Sequence, residues 1–211
     1  MPRQARIDAP GALHHIIIRG IERKALFRDQ ADRDRFVERL GTVVGDTATT
    51  CYAWALMTNH VHLLVMTGHE PIATVMRRLL TGYAQEFNRR YNRHGQLFQN
   101  RYKSILCEKD SYMLELVRYI HLNPVRARII GTVDELKTYR YTGHAVLMGT
   151  VQHAWQDRNS VLSMFHKTAG HARRKYHEYV SAAVQQGRRP KLVGGGLLRS
   201  IGGWKKLRDY R

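Results

Sequence analysis

The chain has 211 residues, 43% of them apolar and spread along its length, which is enough for one buried core with an appendage and too many for wholesale disorder. Its 35 Lys+Arg face only 17 Asp+Glu, a formal net charge of +18. That is well beyond the roughly 8 charges of an ordinary small soluble domain, and it favours a polyanionic partner, nucleic acid ahead of a membrane surface. No apolar run approaches the ~18 residues that cross a bilayer, and no secretory segment follows Met1-Pro2-Arg3-Gln4-Ala5-Arg6, so the expected location is the cytoplasm, on the nucleoid when DNA is bound. The two cysteines, Cys51 and Cys107, have neither the number nor the spacing of a disulfide framework or a zinc knuckle.

In chain order, the first predicted element is a strand over Leu13–Arg19, where His14, Ile16 and Ile18 alternate with His15 and Ile17 before a turn at Gly20. Asp29-Gln30-Ala31-Asp32 supplies acidic residues suited to a helix N-terminus, and Phe36, Leu40 and Val43 or Val44 recur at helical spacing behind it. Two strands follow, over residues 50–57 and 60–66, separated by the polar turn Thr58-Asn59, which reads as a hairpin. A second helix is predicted from Pro71, carrying Val75, Leu79, Tyr83 and Phe87 and ending in the basic stretch before Gly95. Residues 97–108 are strand-like. A third helix carries Met113, Leu116, Val117 and Ile120, with Pro124 expected to end or kink it.

The order β-α-β-β-α-β followed by a helix is that of a ferredoxin-like split βαβ sandwich, an α+β fold in which two helices cover one face of an antiparallel sheet. Residues 1–149 would form this domain. Residues 150–211 read as a basic, mainly helical extension, with a helical segment over residues 160–186 and linker signals at Gly187-Arg188-Arg189-Pro190 and Gly194-Gly195-Gly196. Residues 151–211 hold 13 Lys+Arg and 3 Asp+Glu, so the extension is disproportionately basic.

His60 and His62 lie two apart in the apolar run His60-Val61-His62-Leu63-Leu64-Val65, so a pleated strand sends both imidazoles to one face. Two convergent imidazoles make half a metal site, but a lone pair of strand histidines is more often a satisfied part of a core. Tyr119 and Asn123, four apart on the third helix, share a face and offer a phenol and an amide oxygen. A tyrosine can attack phosphorus if its proton is lost and a metal polarises the target phosphate. Taken alone, the pair also fits an amphipathic core residue and a residue at a helix end before proline. Tyr83, Tyr91, Tyr102 and Tyr112 are the other nearby phenols; Tyr83 is the main rival and lacks the Tyr-x-x-x-Asn spacing.

Four ordered blocks carry a family resemblance. They are Arg19-Gly20 with Phe27-Arg28-Asp29, Met57-Thr58-Asn59-His60-Val61-His62-Leu63-Leu64-Val65, Gly95-Gln96-Leu97-Phe98-Gln99-Asn100-Arg101-Tyr102-Lys103-Ser104, and Tyr119-Ile120-His121-Leu122-Asn123-Pro124-Val125-Arg126. Over residues 10–141 the chain resembles the HUH single-tyrosine transposases, and among them the REP-associated tyrosine transposases of bacteria. Thr58 stands where that pattern has proline, a turn substitution that leaves the histidines in place. The resemblance implies that His60, His62 and Asn123 bind a divalent metal, Mg²⁺ or Mn²⁺, and that Tyr119 forms a 5′-phosphotyrosyl intermediate and frees a 3′-hydroxyl. Its substrate would be single-stranded DNA with hairpin or palindromic ends. From chemistry alone the imidazoles suit zinc or nickel equally.

Candidate DNA contacts are Arg77, Arg78, Arg89, Arg90 and Arg93 on the second helix, Arg19, Arg101, Lys103 and Arg126 inside the matched blocks, and Arg173, Arg174, Lys175, Arg188 and Arg189 in the extension. They would neutralise phosphates rather than read bases. Relatives with longer tails continue past a segment like Gly202-Gly203-Trp204 into a helical DNA-binding module, so the expectation is that this chain stops near the start of such a module. A rolling-circle replication initiator or relaxase uses the same chemistry, and a non-catalytic DNA-binding regulator would need none of the four site residues. Tyr119 could serve its own chain's histidines in a monomer or a partner's in a homodimer, and the monomer is the preferred expectation.

Overall fold

The computed structural model describes residues 9–107 and 109–184, and the side chains among them except those of residues 109–111. Four strands, β1 (Leu13–Arg19), β2 (Thr50–Leu56), β3 (His60–Met66) and β4 (Lys103–Cys107), form one antiparallel sheet in the order β2-β3-β1-β4. Helices α1 (Gln30–Asp46) and α2 (Ile72–Arg90) connect them, so the split βαβ order expected from the apolar periods is the order found. The strand expected over residues 97–108 is confined to Lys103–Cys107, because residues 97–99 instead bond to the end of β1 and the turn after it, through Gln99 N to Arg19 O (2.8 Å) and Ile21 N to Leu97 O (3.0 Å).

Helices α1 and α2 cover one face, as the period predicts. Asp29 caps α1 by accepting a hydrogen bond from Asp32 N at 2.9 Å. Phe36, Leu40, Val43 and Val44 of α1 and Val75, Leu79, Tyr83 and Phe87 of α2 are buried against Ile16, Ile18, Trp54, Leu56, Val61, Leu63 and Val65 of the sheet. Aromatic rings knit this layer, Phe36 meeting Tyr83 edge-on at 5.1 Å.

The opposite face is covered by α3 (Lys109–Arg126), with α4 (Val133–Leu136), α5 (Gly143–Met148), α6 (Arg158–Ser163) and α7 (Ala169–Ser181). Pro124 neither ends nor breaks α3, which runs two residues beyond it. Proline there deprives only the Ile120 carbonyl of its i+4 donor, at a point where the helix is about to end. The single helical segment expected over residues 160–186 is two helices: α6 stops at Ser163, and α7 begins after Thr168. Val161, Leu162, Ala172, Tyr176 and Val180 from these two helices are buried in the same layer as Leu116, Val117 and Ile120 of α3. Gly149 is the left-handed C-cap of α5 (φ 84°).

Residues 141–157 also close the open edge of the sheet. Isolated bridges join Ala55 to Thr142 and Cys51 to Gln156, and Gln156 Oε1 accepts from Trp54 Nε1 at 2.8 Å. The β2 edge is thereby denied to other chains. None of the described helices is long and apolar enough to cross a membrane.

Candidate active site

The register of the central strands builds the site. Opposite residues in an antiparallel pair share a face, and Ile17 faces His62 while Arg19 faces His60. Leu13, His15, Ile17 and Arg19 of β1 therefore lie on the same side as His60, His62 and Leu64 of β3, and this is the side that α3 covers. Lys103 of β4 pairs with Ile17 and joins that face. The pleat thus sends both predicted histidines to one face, and both cations to its rim, where Arg19 and Lys103 are exposed.

His62 is 4% exposed, and its ring stands 5.1 Å from that of His60 and 5.2 Å from that of His15. Its Nδ1 is 3.0 Å from His15 Nε2, and His60 Nδ1 is 2.9 Å from Asn59 Oδ1. Burial, then the neighbouring His15, His60 and Arg19, hold the His62 pKa well below the usual histidine range, so this imidazole is neutral near pH 7. A neutral ring is what a metal needs.

Helix α3 lays Tyr119 over these rings. The Tyr119 ring centroid is 6.0 Å from His62 and 6.1 Å from His15, edge-on to both, and the Arg126 guanidinium lies 5.5 Å from its centre. Asn123 sits one turn further along, 9% exposed, and its Nδ2 has no hydrogen-bond partner among the described residues. A buried amide nitrogen left unpaired costs about 1–3 kcal/mol, a cost that an incoming ligand could relieve after the amide reorients. Among the described residues no three His, Cys, Asp or Glu side chains are grouped to hold a metal. Imidazole nitrogens and a carboxamide oxygen are donor types a divalent cation accepts, and His60, His62 and Asn123 supply them on the strand face and helix that meet here.

The four matched blocks meet here. Gly20 N donates to Asn59 O (2.9 Å), Leu26 N donates to Thr58 O (3.0 Å), and Gly20 bridges to Phe98. Gly20 has to be glycine, since a Cβ there would stand 2.2 Å from the Lys24 carbonyl oxygen. The rival Tyr83 is buried in the other layer, its hydroxyl donating to Leu26 O at 2.7 Å, and burial drives its pKa far up.

The remaining predicted contacts are scattered. Arg77, Arg78, Arg89 and Arg90 lie on the outer surface of α2, across the sheet from the histidines. Arg78 pairs with Asp46 at 2.5 Å, and Arg90 forks between Asp29 (2.6 Å) and Asp32, so these two are committed to ion pairs within the chain. Arg93 lies 5.6 Å from the Phe87 ring centre on that same side. Arg101 is exposed just before β4. Arg173, Arg174 and Lys175 are on α7, with Arg174 and Lys175 exposed; Arg188 and Arg189 lie outside the described residues. His121 points toward α7, where its Nδ1 meets the Tyr176 hydroxyl at 2.6 Å. His15 was missed in the sequence reading. The alternation that set it apart from His14 was visible, but its place beside His62 depends on which residues of β1 and β3 face each other.

The family model "Transposase IS200 like" matches residues 10–123, more than half of the chain and a span that includes His60, His62, Tyr119 and Asn123. The chain belongs to the IS200-like transposase family. Its fold is similar to that of a REP-associated tyrosine transposase solved bound to a REP hairpin, with a TM-score of 0.58 and 16% identity over 75% of this chain and 94% of that one. A crystal structure from Deinococcus radiodurans R1, described as that of a transposase, matches with a TM-score of 0.40 and 17% identity, over 56% of this chain and 95% of that one. No curated protein matches.

Proposed function

We propose that this transposase family member cuts and rejoins single-stranded DNA at hairpin-marked ends, with Tyr119 as nucleophile and His60, His62 and Asn123 as the residues that hold Mg²⁺ or Mn²⁺. The observation that carries the reading is the placement of the Tyr119 ring 6.0 Å from His62 within one chain. The bound cation would polarise the scissile phosphate and offset its developing charge. The Tyr119 oxygen loses its proton and forms a bond to phosphorus, the bond from phosphorus to the 3′ oxygen breaks, and that oxygen leaves as a 3′-hydroxyl by taking up an equivalent proton through solvent. Arg126, 5.5 Å from the centre of the phenol ring, would steady the phosphate. Attack on the phosphotyrosine by another strand's 3′-hydroxyl reverses these bond changes and completes transfer. Exposed Arg19 and Lys103, on the face of the histidines, and Arg101 before β4 would neutralise the flanking phosphates. The hairpin preference is drawn from the structural neighbour, which was solved with a REP hairpin.

Incubated with Mn²⁺ and single-stranded hairpins labelled at the 3′ end, the full chain is expected to retain the label in a denaturant-resistant adduct, since the 5′ phosphate of the downstream fragment stays on Tyr119. Tyr119→Phe should abolish the adduct; an adduct surviving in that variant would refute the nucleophile assignment. Because tyrosine and histidines meet within one chain, mixing Tyr119→Phe with His62→Ala should restore nothing. Recovery on mixing would show that the site is shared between chains.

A further inference from the structure

The turn after β1 and the end of α2 enclose a cleft of about 380 Å³, lined by Ile21, Lys24, Arg28, Phe87, Arg93 and Leu97, with no carboxylate in its walls. Pockets of ~300–1,000 Å³ hold small ligands. Cations converging in a recess of one sign focus their field on an entering anion. The guanidiniums are positioned in advance. Arg28 lies 4.2 Å from the centre of the Tyr91 ring and 5.7 Å from that of Phe87, and Arg93 lies 5.6 Å from the Phe87 centre. Such stacking orients a guanidinium without neutralising it. Arg93 is also steadied by Asn88, whose Nδ2 donates to Gly95 O at 2.9 Å and whose Oδ1 accepts from Arg93 Nη1 at 3.4 Å. Neither Arg28 nor Arg93 pairs with a carboxylate among the described residues. Asp29 and Asp32, the acids nearest to Arg28 in the chain, are both taken by Arg90. Glu22 pairs with Lys24 at 2.5 Å, an exposed contact of a kind worth little in water, which a phosphate can replace.

The same turn is tied to the candidate active site. Gly20 N donates to Asn59 O, Leu26 N to Thr58 O, and Asn59 Nδ2 to Arg23 O at 3.0 Å, so the cleft wall and the residues just before His60 are joined by three hydrogen bonds. Within the turn, Glu22 and Arg23 sit at φ 51° and 59°, the left-handed region that few non-glycine residues adopt. The turn carries the chain from Arg19, on the face of the histidines, to Lys24 in the cleft wall. A strand of DNA passing Arg19 and rounding the end of β1 would therefore meet the cleft next.

We propose that this cleft is a phosphate subsite, which takes one nucleotide from the single-stranded flank of a DNA hairpin and holds its phosphate with Arg28, Arg93 and Lys24. This rests on the reading of single-stranded hairpin DNA as the substrate. A recess admits a flexible strand one nucleotide at a time, whereas a paired stem presents its phosphates on a convex surface that the walls keep out. Contacts of this kind fix where the strand lies and read no bases.

The test is fluorescence anisotropy of the full chain, free of divalent metal, with hairpins that carry single-stranded flanks. Arg28→Ala and Arg93→Ala should each weaken binding about tenfold, equally for unrelated flank sequences. Each should also flatten the slope of log K against log salt by about 0.7, the share of one phosphate contact on a single strand. A neutral methylphosphonate is then placed at each flank and stem position in turn. At one flank position it should weaken binding to the unsubstituted protein about tenfold and change nothing in the double variant Arg28→Ala with Arg93→Ala. If an arginine variant does not fold, Lys24→Gln, on the exposed turn, carries the same comparison. Undiminished binding in the folded arginine variants, coupling at no position, or coupling only within the paired stem overturns the inference while leaving adduct formation in Mn²⁺ intact. A coupled flank phosphate in a protein that forms no adduct would support the subsite and refute strand transfer, so the two readings fail separately.

Discussion

The two faces of the sheet are built to different ends. Under α1 and α2 the layer is aromatic and aliphatic, and the polar ends of three of its rings are bonded within the chain: Tyr83 to Leu26 O, Trp54 to Gln156, and Tyr91 to Asp32 at 2.8 Å. Under α3 and the helices that follow it, the layer encloses His15, His62, Asn123, His121 and His144, all buried, with Asn123 Nδ2 and His121 Nε2 lacking partners among the described residues. Buried polar groups left unpaired reduce stability. One face supplies stability, and the other gives some of it up, as the chemistry proposed there would require.

Truncation on the two faces should separate those roles. Phe36→Ala, in the α1 layer, is expected to cost about 3–5 kcal/mol by chemical unfolding while leaving adduct formation per folded molecule unchanged. Asn123→Ala should leave stability level or improved, since it removes an unsatisfied amide, yet lower adduct formation at least about tenfold. If Asn123→Ala loses stability instead and keeps activity, the contrast between the faces fails.

Acid should strike the α3 face first. Burial, opposed by a backbone hydrogen bond to Leu136 and assisted by His177 and Lys137, lowers the His144 pKa from 6.5 to about 3. Burial likewise holds His121 well below the usual range, with His144 adding to the effect. The unfolded chain therefore binds more protons than the folded one below pH ~6.5. Stability from His144 is complete above that value and falls by about 1.4 kcal/mol per pH unit beneath it, levelling off only near its folded pKa. Urea midpoints between pH 7 and 4 should show this slope, reduced in His144→Leu. A smaller effect is expected from Tyr176→Phe, which removes the hydroxyl beside His121 Nδ1 and should cost about 1–2 kcal/mol while adduct formation survives.

Much of the α1 face was legible because its code is local. Phe36, Leu40 and Val43 mark a helix whatever lies opposite, and the split βαβ order follows from the sequence of periods. The pairing of Tyr119 with Asn123, and the common face of His60 and His62, came from spacing of the same kind. What escaped the sequence depends on register and on distant chain. His15 meets His62 only because β1 pairs with β3 so that the two lie diagonally across from each other. Helices α6 and α7, read as one segment of the extension, are two short helices whose Val161, Tyr176 and Val180 complete the layer over α3. Arg90 looked like a free cation, and only the fold brings Asp29 and Asp32 to it.

The histidine-bearing strand and its neighbour are the two central strands, each hydrogen-bonded along both edges: β3 lies between β2 and β1, and β1 between β3 and β4. Helix α3 has no such ladder. It is held by side chains, such as His121 against Tyr176 and Arg118 stacked 4.1 Å over the ring of Tyr179. In deuterium exchange the amides around His15 and His62 should be among the last to report, opening only with global unfolding, while those of α3 should open through smaller excursions. The ligands would then be the fixed anvil of the reaction and the tyrosine its hammer, free to withdraw with a DNA end attached without loosening the sheet beneath.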